Sequence, residues 1–397
     1  MDQQHTPTGR LKRKLAFSAV LLVVALLAAG AAVVVVLLGS PGPRAVKETP
    51  QVVKTRDESA PSLSIEKIAA GLSRPWDIAF LPDGTLLYTE RGGTISKLEE
   101  GEPRVLLAVS DVAARGEGGL MGLAVDTDFE QNNFIFACYA STNQDVRLVR
   151  WKFDGTNFTD KTEMITGIPL NPSGRHSGCR PRMDKTGALW VGTGDAANGE
   201  LPQSPGSLGG KILRVDRYGK ALPGNQKLPF DTRIYSFGHR NVQGIALYDE
   251  PVNGVAGVSV EHGPARDDEI NPLKSGNFGW NPVPGYNESV PMTDLAFYPS
   301  AISAFWSSGD PTIAPSGATF LRGEQWKGYE GALAVAVLKG KHLRIQQYDD
   351  KQKLSKDETF FKDQFGRLRS AVQGTDGNLY LTTDNGNEDA IIKVTPK

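Results

Sequence analysis

The chain is poor in the residues that usually carry metal and redox chemistry. Its 397 residues include two cysteines, five histidines and five methionines. No zinc-ligand spacing and no CxxCH haem-attachment motif occurs, which argues against a transition-metal site and an internal haem. A GxSxG nucleophile elbow and a phosphate-binding P-loop are also missing. Several common enzyme classes are therefore excluded.

An excess of charge of either sign is also missing. Lys and Arg number 44 against 45 Asp and Glu, for a net charge of -1, so nothing indicates a nucleic-acid partner. Glycine (44) and proline (25) are abundant but spread along the chain, which is typical of many tight turns. The composition predicts a folded, turn-rich protein.

One long apolar run lies near the N-terminus. Residues 15–39 carry no charge and are long enough to cross a bilayer as a helix. Four basic residues precede the run, so 1–14 is predicted to stay cytoplasmic and the rest to lie outside, on the extracytoplasmic side of a bacterial cell membrane. The alternative is a signal peptide cleaved near residues 29–31, which would give a secreted protein.

A boundary follows the apolar run. Residues 40–62 are rich in Pro, Ser and charge without an apolar period, and we interpret them as a flexible linker. The folded domain is predicted to span 63–397.

A local pattern recurs within that domain: a turn rich in Asp, Asn and Gly, followed by an alternating apolar strand. Six copies occur at spacings that suit one four-stranded blade each. They begin at Pro82, Gln131, Lys185, Val252, Tyr329 and Thr375. The pattern predicts an all-β fold, a six-bladed β-propeller, with a β-sandwich as the less favoured alternative. In a propeller, the loops at one end of the central channel form the natural pocket.

Three histidines lie in polar segments of the domain: His176 in GRHSGCR, His239 in FGHRNVQG and His262 in EHGPARDDE. A single loop histidine is usually a solvated surface residue, but three such segments favour a site. Asp267, Asp268 and Glu269 form an acidic run that could bind a hard cation such as calcium or be a solvated turn.

Cations recur toward the C-terminus. Arg367 and Arg369 alternate, and Lys339 ends a strand that we interpret as innermost in its blade. Three cations around one channel would suit a small polyanionic ligand, because Arg binds carboxylates in a bidentate manner.

A series of motifs occurs in one order along the domain. RPWDIAFLPDGTLLYTERGGTI, EGGLMGLAVDTDF, GRHSGCR, GTGD, GHRNVQGIAL, EHGPARDDEINPLKSGNFGW, PTIAPSG and LKGKHL follow one another. Together they resemble the soluble PQQ-dependent glucose dehydrogenases and aldose sugar dehydrogenases, a family of six-bladed propellers. The resemblance spans about residues 63–397 and implies two cofactors, pyrroloquinoline quinone (PQQ) and Ca²⁺.

The resemblance also implies catalytic roles. His176 corresponds to the general base that takes the hydroxyl proton from C1 of the sugar, and Asp195 to the acid that orients it. Arg240 and Asn241 correspond to residues at the quinone oxygens, where Arg240 would stabilise developing negative charge.

Binding positions carry over in the same way. The carbonyl groups of Gly263 and Pro264 correspond to calcium ligands, next to the acidic run of Asp267, Asp268 and Glu269. Cofactor-binding positions besides Arg240 and Asn241 are Lys339, Arg367, Arg369 and Thr312. Substrate-binding positions are Glu117, His262 and Asp268.

The chain departs from the glucose dehydrogenase pattern at three positions. Glu117 and His262 each replace a glutamine, and Asp310 replaces a tryptophan. These positions lie near the sugar or the cofactor edge, so the resemblance leaves the sugar open. Shortened loops favour a monomeric enzyme of broad specificity, and the missing haem motif implies an external electron acceptor such as a quinone.

The two cysteines, Cys138 and Cys179, lie in neighbouring units of the repeat. An exported chain with two cysteines favours a disulfide, with two buried free thiols as the alternative.

Three functions follow from these observations. The first is PQQ- and calcium-dependent oxidation of aldoses to lactones. The second is a catalytically inactive propeller that binds glycans or partner proteins, and the third is a calcium-dependent propeller lactonase. Titration with PQQ separates the first from the inactive propeller, and the lactonase predicts activity without PQQ.

Overall fold

The structure, a computed structural model, describes residues 51–53 and 59–397. The predicted cytoplasmic segment 1–14 and membrane anchor 15–39 lie outside these residues. Within the described part of the chain, no helix combines the length and the apolar character that a membrane span needs. The described residues belong to one compact unit.

Three antiparallel sheets come first along the propeller. The first contains β3 (Pro75–Phe80), β4 (Leu86–Glu90), β5 (Thr94–Glu99) and β6 (Glu102–Ala108). The second contains β7 (Leu120–Val125), β8 (Phe134–Ala140), β9 (Asp145–Phe153) and β10 (Phe158–Pro169). The third contains β11 (Gly178–Met183), β12 (Leu189–Thr193), β13 (Lys211–Val215) and β14 (Ile234–Phe237), extended in parallel by β18 (Gly276–Asn277).

Three further sheets complete the set. The fourth contains β15 (Val242–Val252), β16 (Val255–Glu261), β17 (Glu269–Pro272) and β19 (Trp306–Ser307). The fifth contains β20 (Pro315–Phe320), β21 (Leu333–Val337), β22 (His342–Tyr348) and β23 (Leu354–Phe360). The sixth contains β24 (Leu368–Gln373), β25 (Leu379–Thr383), β26 (Asp389–Pro396), β2 (Leu63–Leu72) and β1 (Gln51–Val53). The described helices are short: α1 (Phe129–Asn132) and a 3-10 helix (Glu324–Tyr329).

The first strand of each sheet is innermost. Strands β3, β7, β11, β15, β20 and β24 pack against one another in that order, and β24 returns to β3. Six sheets around a closed ring of innermost strands make a six-bladed β-propeller, so the predicted fold is confirmed.

The sixth blade joins the two ends of the domain. Strand β2 pairs with β26, with Leu63 opposite Pro396. The segment 40–62, predicted to be a flexible linker, contributes the short strand β1, which pairs with β2. Two consecutive valines in β1 explain this difference, because β-branched residues favour strand conformation.

The recurring sequence pattern marks the second strand of each blade. The six copies correspond to β4, β8, β12, β16, β21 and β25. These strands lie between two neighbours and are almost entirely buried, as in the five buried residues of β21. Lys339 therefore follows a second strand, and the prediction that it ends an innermost strand is wrong.

Each innermost strand is irregular where it begins. A register shift occurs near its first residues, for example between Gly178 and Arg180 in β11 and between Val242 and Gly244 in β15. Such bulges bend a strand and redirect its side chains. All six shifts lie at the same end of the channel, which is the end that carries the candidate site.

An ion cluster fills the interior of the channel. The carboxylate of Asp77 pairs with the guanidinium groups of Arg180 and Arg182 and accepts bonds from the Ser370 hydroxyl (2.8 Å) and the Leu123 amide (3.1 Å). We call Asp77, Arg180, Arg182 and Ser370 the channel cluster. Its members come from β3, β11 and β24, so it ties innermost strands together.

A disulfide joins the second and third blades. Cys138 in β8 and Cys179 in β11 are bonded, with Cα atoms 5.9 Å apart, and both are fully buried. This separation is ordinary for a disulfide. The bond fixes the start of β11, three residues after His176.

Candidate active site

The candidate site is a cavity at the mouth of the channel. Loops that precede innermost strands and loops that follow second strands meet there and enclose about 260 Å³. The cavity is lined by Glu117, Arg175, His176, Arg240, Asn241, His262, Gly263, Pro264, Asp268, Thr312 and Ala314. Residues from five sequence motifs are thus brought together, and Arg175 is an addition that the sequence analysis did not single out.

The backbone around His176 is tightly held. His176 has a left-handed φ of 58°, a conformation that residues other than glycine seldom adopt and that concentrates at functional sites. Its carbonyl oxygen lies so close to Gly194 that a Cβ there would be 1.8 Å away. Gly178 is close-packed as well, because a Cβ there would meet the backbone of β12.

His176 and Asp195 form a buried pair. Nδ1 of His176 lies 2.7 Å from Oδ1 of Asp195, which also accepts the Ala197 amide at 2.8 Å. Asp195 is fully buried, and His176 is exposed by only 6%. Because Nδ1 is engaged by the carboxylate, Nε2 is the ring nitrogen available to a molecule in the cavity.

Two aromatic side chains that the sequence analysis missed complete the surroundings of Asp195. Its Oδ2 accepts the Trp280 indole N–H at 2.9 Å and the Tyr286 hydroxyl at 2.7 Å. Burial, together with the Asp195 charge, raises the pKa of Tyr286. The phenol therefore stays protonated and donates. Trp280 is the last residue of the motif EHGPARDDEINPLKSGNFGW, although no role was assigned to it. Tyr286 lies beyond that motif in a loop without an apolar period, so no sequence signal marked it.

Arg240 is buried and only partly paired. Its Nη2 contacts Oε1 of Glu288 at 2.6 Å, and its Nη1 donates to the carbonyl oxygen of His262 at 3.1 Å. Glu288 also contacts Arg175 at 3.3 Å. The buried Nε of Arg240 has no hydrogen-bond partner among the described residues. A buried donor of this kind costs free energy unless a bound group accepts from it.

Glu117 is bonded to the framework of the site. Its carboxylate accepts bonds from the His176 amide, from Nδ2 of Asn241 (3.1 Å) and from Nε2 of Gln243 (2.9 Å). The carboxylate thus holds the loops of His176 and Asn241 together. The prediction that Glu117 binds substrate is not tested by these contacts.

His262 is a neutral residue of the cavity wall. Its Nε2 donates to the carbonyl oxygen of Pro315 at 2.8 Å. Burial, reinforced by the charges of Arg369 and Arg240, lowers the pKa of His262 to about 3. His262 is therefore uncharged, and its Nε2 is occupied by a backbone carbonyl group.

Asp268 connects two loops of the site. Its Oδ1 accepts the Gly263 amide at 2.9 Å, and its Oδ2 accepts the amides of Ile313 (2.5 Å) and Ala314 (2.8 Å). Burial raises the pKa of Asp268, although these amide donors oppose the shift. The carboxylate is therefore occupied with backbone groups of the loops that bear Gly263 and Thr312.

The other two acidic residues of the run point elsewhere. Asp267 accepts the Ser307 hydroxyl at 2.9 Å, whereas Glu269 is buried in β17 and bonded to Asn271. Burial and the neighbouring charge of Glu261 raise the pKa of Glu269 to about 8. Within residues 51–53 and 59–397, no group of three His, Cys, Asp or Glu side chains could hold a metal ion. The acidic run is therefore neither a carboxylate cage nor a solvated turn.

Backbone oxygens remain as cation ligands. Gly263 and Pro264 both line the cavity. Among the hydrogen bonds of the described residues, none ends on the carbonyl oxygen of either one. These open carbonyl groups fit the oxygen ligands that a hard cation prefers.

The predicted cofactor cations occupy different settings. Lys339 is exposed, and its Nζ lies 2.9 Å from Oγ1 of Thr312 in the cavity wall. Arg369 pairs with Asp384 and reaches Oε1 of Gln243 at 3.0 Å, which links it to Glu117. Arg367 is half-buried, and burial and the Arg369 charge lower its pKa.

His239, by contrast, belongs to the protein interior. It is fully buried, contacts Ser236 (2.8 Å) and Glu261 (3.0 Å), and stacks on Phe278. The polar surroundings of this histidine in the sequence therefore indicate a packed network behind Arg240.

Fold, site and similarity to known proteins place the chain among propeller oxidoreductases that act on sugars. The family model for glucose/sorbosone dehydrogenases matches residues 72–393. The chain therefore belongs to the glucose/sorbosone dehydrogenase family.

Similar proteins have been solved or named in several bacteria. A putative oxidoreductase (glucose dehydrogenase) from Thermus thermophilus is 32% identical, with a TM-score of 0.73 over 84% of this chain and 99% of that one. The PQQ-bound aldose sugar dehydrogenase from Streptomyces coelicolor is 28% identical, with a TM-score of 0.70 over 84% and 98%. The aldose sugar dehydrogenase of Escherichia coli is 28% identical over 85% of this chain and 94% of its own length.

Proposed function

We propose that the protein oxidises aldose sugars to lactones with PQQ and calcium, at the extracytoplasmic face of the membrane. The observation that carries this proposal is the His176–Asp195 pair beside a cavity that is also lined by Arg240 and by Gly263 and Pro264 with their two open carbonyl groups. Membership of a sugar dehydrogenase family and similarity to a PQQ-bound enzyme support the same interpretation.

The residues around the cavity fit an anionic cofactor. PQQ carries three carboxylates, and the site offers Arg240 with its unpaired Nε, Asn241, and the Lys339–Thr312 pair. Arg367 and Arg369 lie at the start of β24 and would add positive charge on that side. Guanidinium groups bind carboxylates in a bidentate manner, so these residues would hold the cofactor.

Calcium would rest on backbone oxygens. The carbonyl groups of Gly263 and Pro264 would be its protein ligands, and Asp268 would fix the first of these residues through the Gly263 amide. Asp267 and Glu269 would support the loop without touching the ion.

The chain's own residues would then handle the proton of the reaction. When bound, PQQ accepts the hydride that leaves C1 of the sugar. Nε2 of His176 would take the proton of the C1 hydroxyl, and loss of this proton and the hydride yields the lactone. Asp195 would hold the opposite nitrogen, Nδ1, and stabilise the imidazolium. Arg240 would stabilise negative charge that develops in the cavity.

The setting of the reaction follows from other parts of the chain. A disulfide between Cys138 and Cys179 is suited to an oxidising compartment outside the cytoplasm. With the apolar segment 15–39 as an anchor, the propeller would face that compartment, and a cleaved, secreted form is the alternative. Electrons would pass to an external acceptor such as a quinone, and the enzyme would act as a monomer.

The test is reconstitution of the purified full chain. PQQ is titrated in with and without Ca²⁺, and reduction of a redox dye is followed with several aldoses. We expect saturable, calcium-dependent binding and turnover. His176→Ala should lower kcat by about 10²- to 10⁴-fold, the usual contribution of a general base, while PQQ binding is kept.

The same experiment addresses the other functions. Lactone hydrolysis without PQQ would support a lactonase, and glycan binding without PQQ binding would support an inactive scaffold. Absence of both PQQ binding and sugar oxidation would refute the proposal.

A further inference from the structure

Tyr286 contacts both members of the His176–Asp195 pair. Its hydroxyl oxygen lies 2.7 Å from Oδ2 of Asp195 and 3.0 Å from Nδ1 of His176. The three side chains therefore form a closed triangle. Trp280 donates to the same Oδ2 at 2.9 Å but is not bonded to the histidine.

The chemistry of the partners assigns the protons in this triangle. An ionised carboxylate only accepts, so the Tyr286 hydroxyl hydrogen points to Asp195. A lone pair of the same oxygen then faces Nδ1 of His176. Nδ1–H can donate to both Asp195 and Tyr286, which is a three-centre hydrogen bond.

We propose that Tyr286 is a positioning residue that, with Asp195, keeps the proton of neutral His176 on Nδ1. Nε2 is then left with its lone pair toward the cavity. The proposal rests on the proposed function only for what Nε2 does there, namely accept the proton of the sugar hydroxyl. The tautomer itself is a property of this chain without any cofactor.

Control of the tautomer matters because the neutral imidazole of His176 can carry its proton on either ring nitrogen. With the proton on Nε2, His176 could not act as a base toward the cavity. The orientation of the Asp195 carboxylate is fixed by the Ala197 amide at Oδ1 and by Tyr286 and Trp280 at Oδ2. Tyr286 therefore has two effects: its hydroxyl group donates to the Asp195 carboxylate and accepts a hydrogen bond from Nδ1–H of His176.

The experiment is NMR of the full chain, without PQQ or calcium, labelled with ¹⁵N-histidine. Five histidines give few signals, and His176→Gln identifies those of His176. Nitrogen shifts above the titration range report the ratio of the two neutral tautomers. Tyr286→Phe keeps the ring, and we expect the Nε2–H to Nδ1–H ratio to rise about fivefold, the equivalent of one ordinary hydrogen bond.

The matched control is Tyr298→Phe, which removes a hydroxyl from the same loop without approaching His176. Trp280→Phe should change the ratio less than Tyr286→Phe, because the indole touches only Asp195. Tyr298→Phe should leave it unchanged. An unchanged ratio in folded Tyr286→Phe overturns the proposal.

A second measurement covers the case in which Tyr286→Phe does not fold. In the unaltered chain, the Nδ1–H of His176 should show a nuclear Overhauser effect to the Tyr286 ring protons, and its absence refutes the proposal. In the reconstituted enzyme, Tyr286→Phe should lower kcat about fivefold and leave KM unchanged. If the chain neither binds PQQ nor oxidises sugars, the proposed function fails while the tautomer result stands independently.

Discussion

The interior of the channel and its mouth are built from similar residues but differ in how those residues are paired. In the channel cluster, the Asp77 carboxylate is surrounded by Arg180, Arg182, a hydroxyl and an amide, so both of its oxygens have protein partners. At the mouth, Arg240 keeps an unpaired Nε, and two carbonyl groups lack donors among the described residues. The charged groups of the channel cluster thus have protein partners, whereas Nε of Arg240 and the two carbonyl groups at the mouth do not have one among the described residues.

This difference separates stability from function. Charges buried in a closed network hold the innermost strands together, and removing one partner leaves another uncompensated. Polar groups that lack a protein partner cost stability unless a ligand supplies one. We therefore expect substitutions in the channel cluster to act on unfolding and substitutions at the mouth to act on binding. Three experiments test this separation, beginning with the largest effect.

Asp77→Asn should cause the largest loss of stability. The fully buried Arg180 and the partly buried Arg182 would lose their counter-charge, at a cost of about 3–5 kcal/mol in the free energy of unfolding. Urea unfolding measures the loss. Glu99→Gln serves as the control, because the Glu99 carboxylate is exposed and its ion pairs with Lys97 and Arg104 should contribute little to stability.

The same carboxyl group predicts a dependence on pH. Burial alone would raise the pKa of Asp77, but the charges of Arg180 and Arg182 outweigh it, and the pKa lies below its ordinary value. The stabilisation is therefore complete above the unfolded pKa, about 3.9, and is lost as pH falls through the folded value. Unfolding of Asp77→Asn should depend less on pH in that acid range, and an unchanged slope would contradict this role.

The disulfide connects the two regions, so its removal shows whether the bond contributes to stability or to binding. The double substitution Cys138→Ala and Cys179→Ala should lower the free energy of unfolding by about 2–4 kcal/mol, as for other disulfides. If the disulfide contributes only to the stability of the propeller, the binding free energy of PQQ should hardly change in the folded double variant. Its Kd for PQQ should then stay within about twofold of the value for the unaltered chain. A large loss of affinity with full stability would instead assign the bond to the mouth.

Lys339→Met should have the smallest effect and should act only on binding. Its ammonium group is exposed beside Thr312, so loss of one screened contact to a carboxylate should weaken PQQ binding by about fivefold, roughly 1 kcal/mol. Equilibrium titration measures the change, with the exposed Lys351→Met as control. A change in the urea unfolding curve of Lys339→Met would contradict the separation of stability, at the channel cluster, from binding, at the mouth.

The number of blades was predictable from the sequence, but the identity of the repeated strand was not. Second strands such as β21 are buried on both faces and therefore show a clear apolar pattern. Innermost strands face the channel and carry polar residues such as Asp77, Arg180 and Gln243, which interrupt any apolar period. The clearest pattern consequently lies one strand away from the channel.

The site was predictable only where a motif marked it. The motifs of His176, Arg240 and Gly263 meet at one cavity. The acidic run was harder to interpret, because its carboxylates diverge once Glu269 enters β17. Tyr286 and Glu288 lie beyond the quoted motifs, in a loop whose residues approach the site only in the folded chain. Their contacts depend on distances that composition and spacing do not encode.

The closure of the sixth blade brings the two ends of the propeller together. Leu63 lies opposite Pro396, and the Lys397 amide donates to the carbonyl oxygen of Ser62 at 2.8 Å. The ring thus has no structural beginning, and the order in which its blades are synthesised is a property of the gene and not of the assembled fold. A circularly permuted propeller, with residue 397 linked to residue 62 and new ends in a distant hairpin, would lose β1 from beside β2 but would keep the pairing of β2 with β26.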